Sequence, residues 1–139
     1  MSQVSSTRVR EIYDHFANAR LDGLSEAFDE HVDFVSHAPA DIFPYLGRRR
    51  GKADVIEAFS EVYKKFEVLS FWPITVLVDG NDAAVTLFVD LKERNTGKRA
   101  NFLAAHFLRF RNGRIAEYRS IVDSWDAMRQ LSPPAQGVE

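Results

Sequence analysis

The chain has 139 residues, 18 of them basic and 20 acidic, and no cysteine. This length supports one domain with a sizeable core, whereas two would each lack an interior; the missing cysteine excludes disulfides and thiolate metal sites. A formal charge of −2 gives no electrostatic footing on nucleic acid or on a membrane surface.

Residues Met1 to Ser6 are polar and lack the apolar stretch of a signal peptide. No apolar run approaches the length that spans a bilayer. A cytoplasmic protein is expected, folded as one domain over 1–139 with its core at about 8–131 and both ends frayed.

Val9, Ile12, Tyr13, Phe16 and Ala17 fall on one helical face, which predicts a helix over about 6–20. Leu21-Asp22-Gly23 breaks it, and Leu24, Ala27 and Phe28 suit a short second helix. Val32, Phe34 and Ser36 alternate with Asp33 and Val35, as in a short strand. His37 to Gly47 holds two prolines and reads as an unusually apolar loop. The Arg48-Arg49-Arg50 and Lys52 cluster is either a solvated loop or an anion site at the next helix's start. Val55, Phe59, Val62, Tyr63 and Phe66 again have helical spacing, with Gly51 ahead of them.

From there the period changes to two. Runs 69–79, 82–94, 98–111 and 114–123 are rich in β-branched and aromatic residues. Asp79-Gly80-Asn81-Asp82, Asn95-Thr96-Gly97-Lys98 and Asn112-Gly113 separate them as hairpin turns. A last helix is expected over about 124–131, before Ser132-Pro133-Pro134. Helices followed by a long meander predict an α+β fold: a curved antiparallel sheet packed on three N-terminal helices, open at one end around an internal pocket.

Three pieces, in this order and spacing, carry a family resemblance over about residues 8–131. They are Val9-x-x-x-Tyr13 leading to Leu21-Asp22-Gly23-Leu24 and Phe28; Gly51-Lys52; and His106-Phe107-Leu108-Arg109-Phe110-Arg111-Asn112-Gly113-Arg114-Ile115. The chain resembles the ketosteroid isomerase/SnoaL-like (nuclear transport factor 2-like) superfamily, whose cone-shaped fold serves isomerases, polyketide cyclases, epoxide hydrolases, dehydratases and non-catalytic binding modules. Fold alone does not select among them. The isomerase site that the resemblance implies sets an Asp general base opposite a Tyr and a protonated Asp that bind an oxyanion. Its tyrosine falls on Tyr13. Its base falls on Ser36, or on His37 after a one-residue slip, its protonated acid on His106, and a supporting tyrosine on Phe59. The base is absent and one acid is replaced, which argues against a ketosteroid isomerase.

His106 lies in the most apolar stretch, Phe102 to Leu108. It is either a core histidine satisfied by a neighbour or a neutral imidazole facing the pocket, where desolvation lowers its pKa. Tyr13 is core, with its hydroxyl expected to face the pocket beside His106. His15 lies off the apolar face and should be solvated. Asp123 is either a helix cap or, as the resemblance to several SnoaL-like cyclases implies, a general base. Catalytic candidates are therefore Tyr13, His106 and Asp123.

Substrate-binding candidates are Ser36, His37, Phe59, Trp72, Val89, Leu91, Tyr118, Ser120 and Val122. Val85 and Leu87 share the inner face with Val89 and Leu91. Trp72 and Trp125 either rim the mouth or simply pack, and Phe43 with Tyr45 is either a lid or plain packing. No pair of histidines has ligand spacing beside a carboxylate, and there is no phosphate loop or nucleophile elbow. Neither metal nor cofactor is expected, only acid–base chemistry on a small apolar ligand, or its binding without turnover.

The outer face breaks the usual polar alternation. Leu103, Ala105 and Phe107, with Phe88, Ile115 and Ile121, form an outward apolar patch rimmed by Arg109, Glu117 and Arg119. A homodimer through that face is expected.

Overall fold

A computed structural model describes residues 4–38, 43–44 and 46–131. The chain opens with helices α1 (Ser6–Ala17) and α2 (Leu21–Ala27), strands β1 (Phe28–Ser36) and β2 (Arg48–Arg50), and helix α3 (Lys52–Lys65). Strands β3 (Phe66–Asp79), β4 (Asp82–Glu93), β5 (Arg99–Arg111) and β6 (Arg114–Val122) follow, then helix α4 (Ser124–Leu131).

Helix α1 starts where the Ser5 side chain accepts a bond from the Arg8 amide, the usual N-cap arrangement. It buries Val9, Ile12, Tyr13 and Phe16. It ends at Ala17, earlier than the periodicity predicts, because Ala19 takes φ 54°, a conformation that no helix continues through. Leu21-Asp22-Gly23 consequently opens α2 instead of separating the helices. Helix α3 buries Val55, Ala58, Phe59 and Val62. Each buried Val or Phe among these contributes roughly 1.5–3 kcal/mol.

The six strands are ordered β2-β1-β6-β5-β4-β3. Strands β3 to β6 form the expected antiparallel meander, and β2 pairs antiparallel with β1. The sheet as a whole is mixed, because β1 runs parallel to β6. A parallel neighbour needs a long crossover, here the whole of α3 and the meander. The Asn112-Gly113 turn has both residues at positive φ, 53° and 78°, the geometry that suits strand twist.

The arginine run expected as a loop is β2. Arg48 pairs with Asp33, Arg49 with Asp54, and Lys52 with Glu30, so these cations are engaged by acids of this chain, not held open for an anion. Ile115, expected outward, is fully buried. The ladder slips between Arg109 and Phe110 and pairs Phe110 with Ile115, and such a slip turns the following side chains to the other face. His15, expected in solvent, is half-buried against Gly23, where an added Cβ would come within 2.5 Å of its ring.

Candidate functional site

The inner face of the sheet carries two cross-strand rows that decide the chemistry of the cone. In one, Ser36 on β1 lies opposite Ser120 on β6, which lies opposite His106 on β5. In the next, Phe34 is opposite Tyr118, and Tyr118 opposite Leu108. Parallel pairing of β1 with β6 is what brings Ser36 level with Ser120. All three polar side chains of the first row are buried.

His106 is held from both sides. The Tyr13 hydroxyl on α1 lies 2.5 Å from its Nδ1, and the Tyr118 hydroxyl lies 3.1 Å from its Nε2. Tyr118 and Ser120 stand two residues apart on the inner face of β6, both buried. Aromatic rings fix the group in place. Phe34 stacks on Tyr118 at 4.5 Å, and Phe71 stacks on Tyr13 at 5.8 Å between ring centroids.

Burial keeps every member neutral. It pulls the His106 pKa from 6.5 down to about 3. It pushes Tyr13 well above its ordinary value, with the neighbouring Tyr118 adding to the effect. Tyr118 rises too, through burial first and the proximity of Tyr63 second, while the Ser120 side chain opposes the rise. With no counter-charge in an apolar wall, the neutral forms win.

Beside this group lies a cavity of about 80 Å³ between α1, α3 and the sheet. His106, Ser36, Ser120 and Tyr118 supply polar groups to its wall, and Phe59, Val89, Leu91 and Val122 supply apolar ones. No charged side chain is among its lining residues. Eight residues expected in the pocket are therefore in its wall. Tyr13 touches His106 from behind the wall and does not itself line it. Phe43 lines the cavity, while Tyr45 lies outside the described residues.

Three expected site residues are elsewhere. Asp123 is exposed and caps α4, its carboxylate accepting from the Asp126 amide at 3.2 Å. Trp72 is 65% exposed and pairs with Phe88 on the outer face, because β3 bulges on both sides of it. His37 is exposed beyond the wall, its amide bonded to the Ser120 carbonyl at 2.9 Å. Phe16, Phe71 and Phe102 line the cavity unforeseen. The helical face of α1 marked Phe16 as buried, but burial alone does not distinguish core from cavity wall.

A wider depression of about 370 Å³ lies on the opposite side of the sheet, between Leu77, Phe107, Arg109 and Glu117. In its wall Arg109 pairs with Asp82 and Glu117, and Arg119 with Glu117, and it offers no buried reactive group. Among the described residues, no cluster of three or more His, Asp or Glu side chains could hold a metal ion, and no helix is long and apolar enough to cross a membrane.

A curved, unclosed sheet packed on helices is the cone-shaped α+β architecture of the ketosteroid isomerase-like class. Residues 9–118 match the family model of the SnoaL-like domain. The chain belongs to that family.

Solved structures agree on the fold. A candidate isomerase from Rhodopseudomonas palustris is 25% identical, with TM-score 0.81, over 94% of this chain and 97% of that one. A ketosteroid isomerase-like protein from Catenulispora acidiphila, in complex with trimethylamine, is 12% identical with TM-score 0.79, over 98% and 100%. An epoxide hydrolase of M. tuberculosis is 15% identical with TM-score 0.74, over 90% and 86%. No curated protein matches the chain.

Proposed function

We propose that this SnoaL-like protein binds a small, neutral, apolar carbonyl-type molecule in the cone, and polarises its oxygen through the hydroxyls of the Ser36–Ser120–Tyr118 cluster. The supporting observation is the composition of the cavity wall: apolar except for a cluster of uncharged donors on one side. A charged ligand would be desolvated there without a counter-ion, at a cost of several kcal/mol. A neutral carbonyl would gain hydrogen bonds and lose little hydration. Acid–base isomerisation, dehydration or cyclisation is the reaction class such polarisation promotes.

A second reading, binding without turnover, is favoured by one observation. The wall holds no carboxylate, and an imidazole held near pKa 3 is a weak base at neutral pH. Titration with cyclopentanone, followed by amide shifts of Ser36 and Ser120, tests the binding. Solvent deuterium exchange at the carbons beside the carbonyl then separates the readings. Protein-dependent exchange supports catalysis; binding without it supports the module. No shift at either serine, at millimolar ketone, would reject the site.

We also propose that two copies pair through the outer sheet face. Trp72, Ile74, Leu77, Leu103, Phe107 and Ile121 are each at least half exposed across β3, β5 and β6, and monomers rarely leave such a patch in water. Its rim carries both signs, Arg109 and Arg119 beside Glu117 and Asp82. A two-fold pairing brings a surface against its own copy, so a mixed rim can be self-complementary.

A further inference from the structure

Resting on the carbonyl-binding reading, we infer that the ligand's hydrogen-bond donor is Tyr118, and that Tyr13 is a positioning residue that sets the His106 tautomer and so aims the Tyr118 proton into the cavity. Three protons, those of Tyr13, His106 and Tyr118, each need a place.

Tyr13 is fully buried, against Phe16 and Phe71. Among the described residues its hydroxyl has one hydrogen-bond partner, His106 Nδ1. A neutral imidazole donates from one nitrogen and accepts at the other. If Nδ1 carried the proton, Tyr13 would have to accept it, and its own O–H would be left without an acceptor in an apolar setting. An orphaned buried donor is costly and rare.

If Tyr13 instead donates to Nδ1, the ring proton sits on Nε2 and is donated to the Tyr118 oxygen. The Tyr118 O–H must then point onward. Its destination is the cavity that Tyr118 lines, where a ligand oxygen would accept it. Only this direction gives the fully buried Tyr13 O–H an acceptor, and it leaves the free donor on Tyr118, in the cavity wall.

The distances agree with that polarity. O–H donors make shorter bonds than N–H donors, by about 0.2 Å on average. The contact assigned to the Tyr13 O–H is the short one at 2.5 Å, and that assigned to the ring N–H is 3.1 Å. Each bond in such a chain strengthens the next, so Tyr118 becomes a better donor than an isolated phenol while all three rings stay neutral. The arrangement departs from the isomerase pattern, in which the first-helix tyrosine itself meets the ligand.

The test uses the full chain labelled with 15N at histidine. The two-bond proton–nitrogen pattern of His106 reports which nitrogen is protonated. Nε2–H in the wild type is expected; Nδ1–H would overturn the inference without any ligand. Tyr13→Phe, which keeps the ring and removes the hydroxyl, should relax the ring toward a mixture of tautomers. An unchanged Nε2–H pattern would remove Tyr13 from the positioning role.

Cyclopentanone labelled with 13C at the carbonyl supplies the second arm. Tyr118→Phe should weaken its binding about tenfold, the loss expected for one hydrogen bond, and should reverse most of the carbonyl shift seen on binding. Tyr13→Phe should weaken it less. The reverse order would overturn the inference. If the wild type binds no ketone, the carbonyl-binding reading falls, and the tautomer measurement still decides the direction of the relay.

Discussion

Tyr13 on α1 and His106 on β5 are 93 residues apart in the chain, yet the hydroxyl of one meets Nδ1 of the other at 2.5 Å in the core. This contact ties the first helix to the central strands through a bond that neither element could satisfy alone. It also makes the state of the imidazole depend on the packing of α1.

Acid should expose that dependence. His106 is held near pKa 3 in the fold, against 6.5 ordinarily. Between those values the unfolded chain takes up a proton that the folded chain refuses. Stability is therefore fully present above about pH 6.5 and falls as the pH drops toward 3. Each pH unit in that window costs at most about 1.4 kcal/mol. Urea midpoints measured from about pH 7 to pH 5 should fall more steeply for the wild type than for His106→Gln. Parallel curves would mean that the ring protonates as readily in the fold as in the unfolded chain.

Filling the cone should separate binding from folding. Ala104 lines the cavity and is buried. Ala104→Leu places its added carbons in space that is otherwise empty, so stability should change by less than about 1.5 kcal/mol. Cyclopentanone binding, read from the Ser36 and Ser120 amide shifts, should be abolished. Retained binding would place the ligand elsewhere.

Gly23 should resist a substitution that helix propensity favours. Alanine in a helix is worth about 1 kcal/mol over glycine, yet a Cβ at Gly23 would meet the His15 ring at 2.5 Å. Gly23→Ala is expected to destabilise the wild type and to stabilise His15→Ala. A thermal double-mutant cycle reads the sign change directly. Independent, additive effects would show that the ring moves aside freely.

The outer face predicts an oligomeric state. Leu103 is 56% exposed at the centre of the patch. Sedimentation at micromolar concentration should give a species of twice the 15.9 kDa chain mass, and Leu103→Glu should return it to the single-chain value. A wild-type protein that sediments as one chain would reject the pairing.

Much of this was readable in the sequence where a single period holds along an element. The spacing of Val9, Ile12, Tyr13 and Phe16 marks the buried face of α1, and strict alternation through Val85, Leu87 and Val89 marks the inner face of β4. The resemblance set Tyr13 and His106 against one another, and the structure joins them. What failed did so where a period is interrupted. Bulges beside Trp72 and near Phe110 change which face a residue occupies, and counting by two cannot register an extra residue. Asp123 is a case of competing roles, since a carboxylate that ends a strand before a helix serves the helix amides first. The Arg48–Arg50 strand had no local signal at all. It exists because the edge of β1 offers it a partner, and that information lies some fifteen residues away, at Asp33.

At the end of the meander a side chain takes the place of a strand. Strand β6 leaves β5 after Val122 pairs with Ala104, and the next stretch of β5 would otherwise present bare amides and carbonyls. The Gln130 side chain fills that place, accepting from the Asn101 amide and donating to the Asn101 carbonyl, both at 2.7 Å. Its amide imitates one residue of a missing strand. Unpaired strand amides and carbonyls of this kind invite further pairing, and the Gln130 side chain from α4 satisfies this pair within the chain itself.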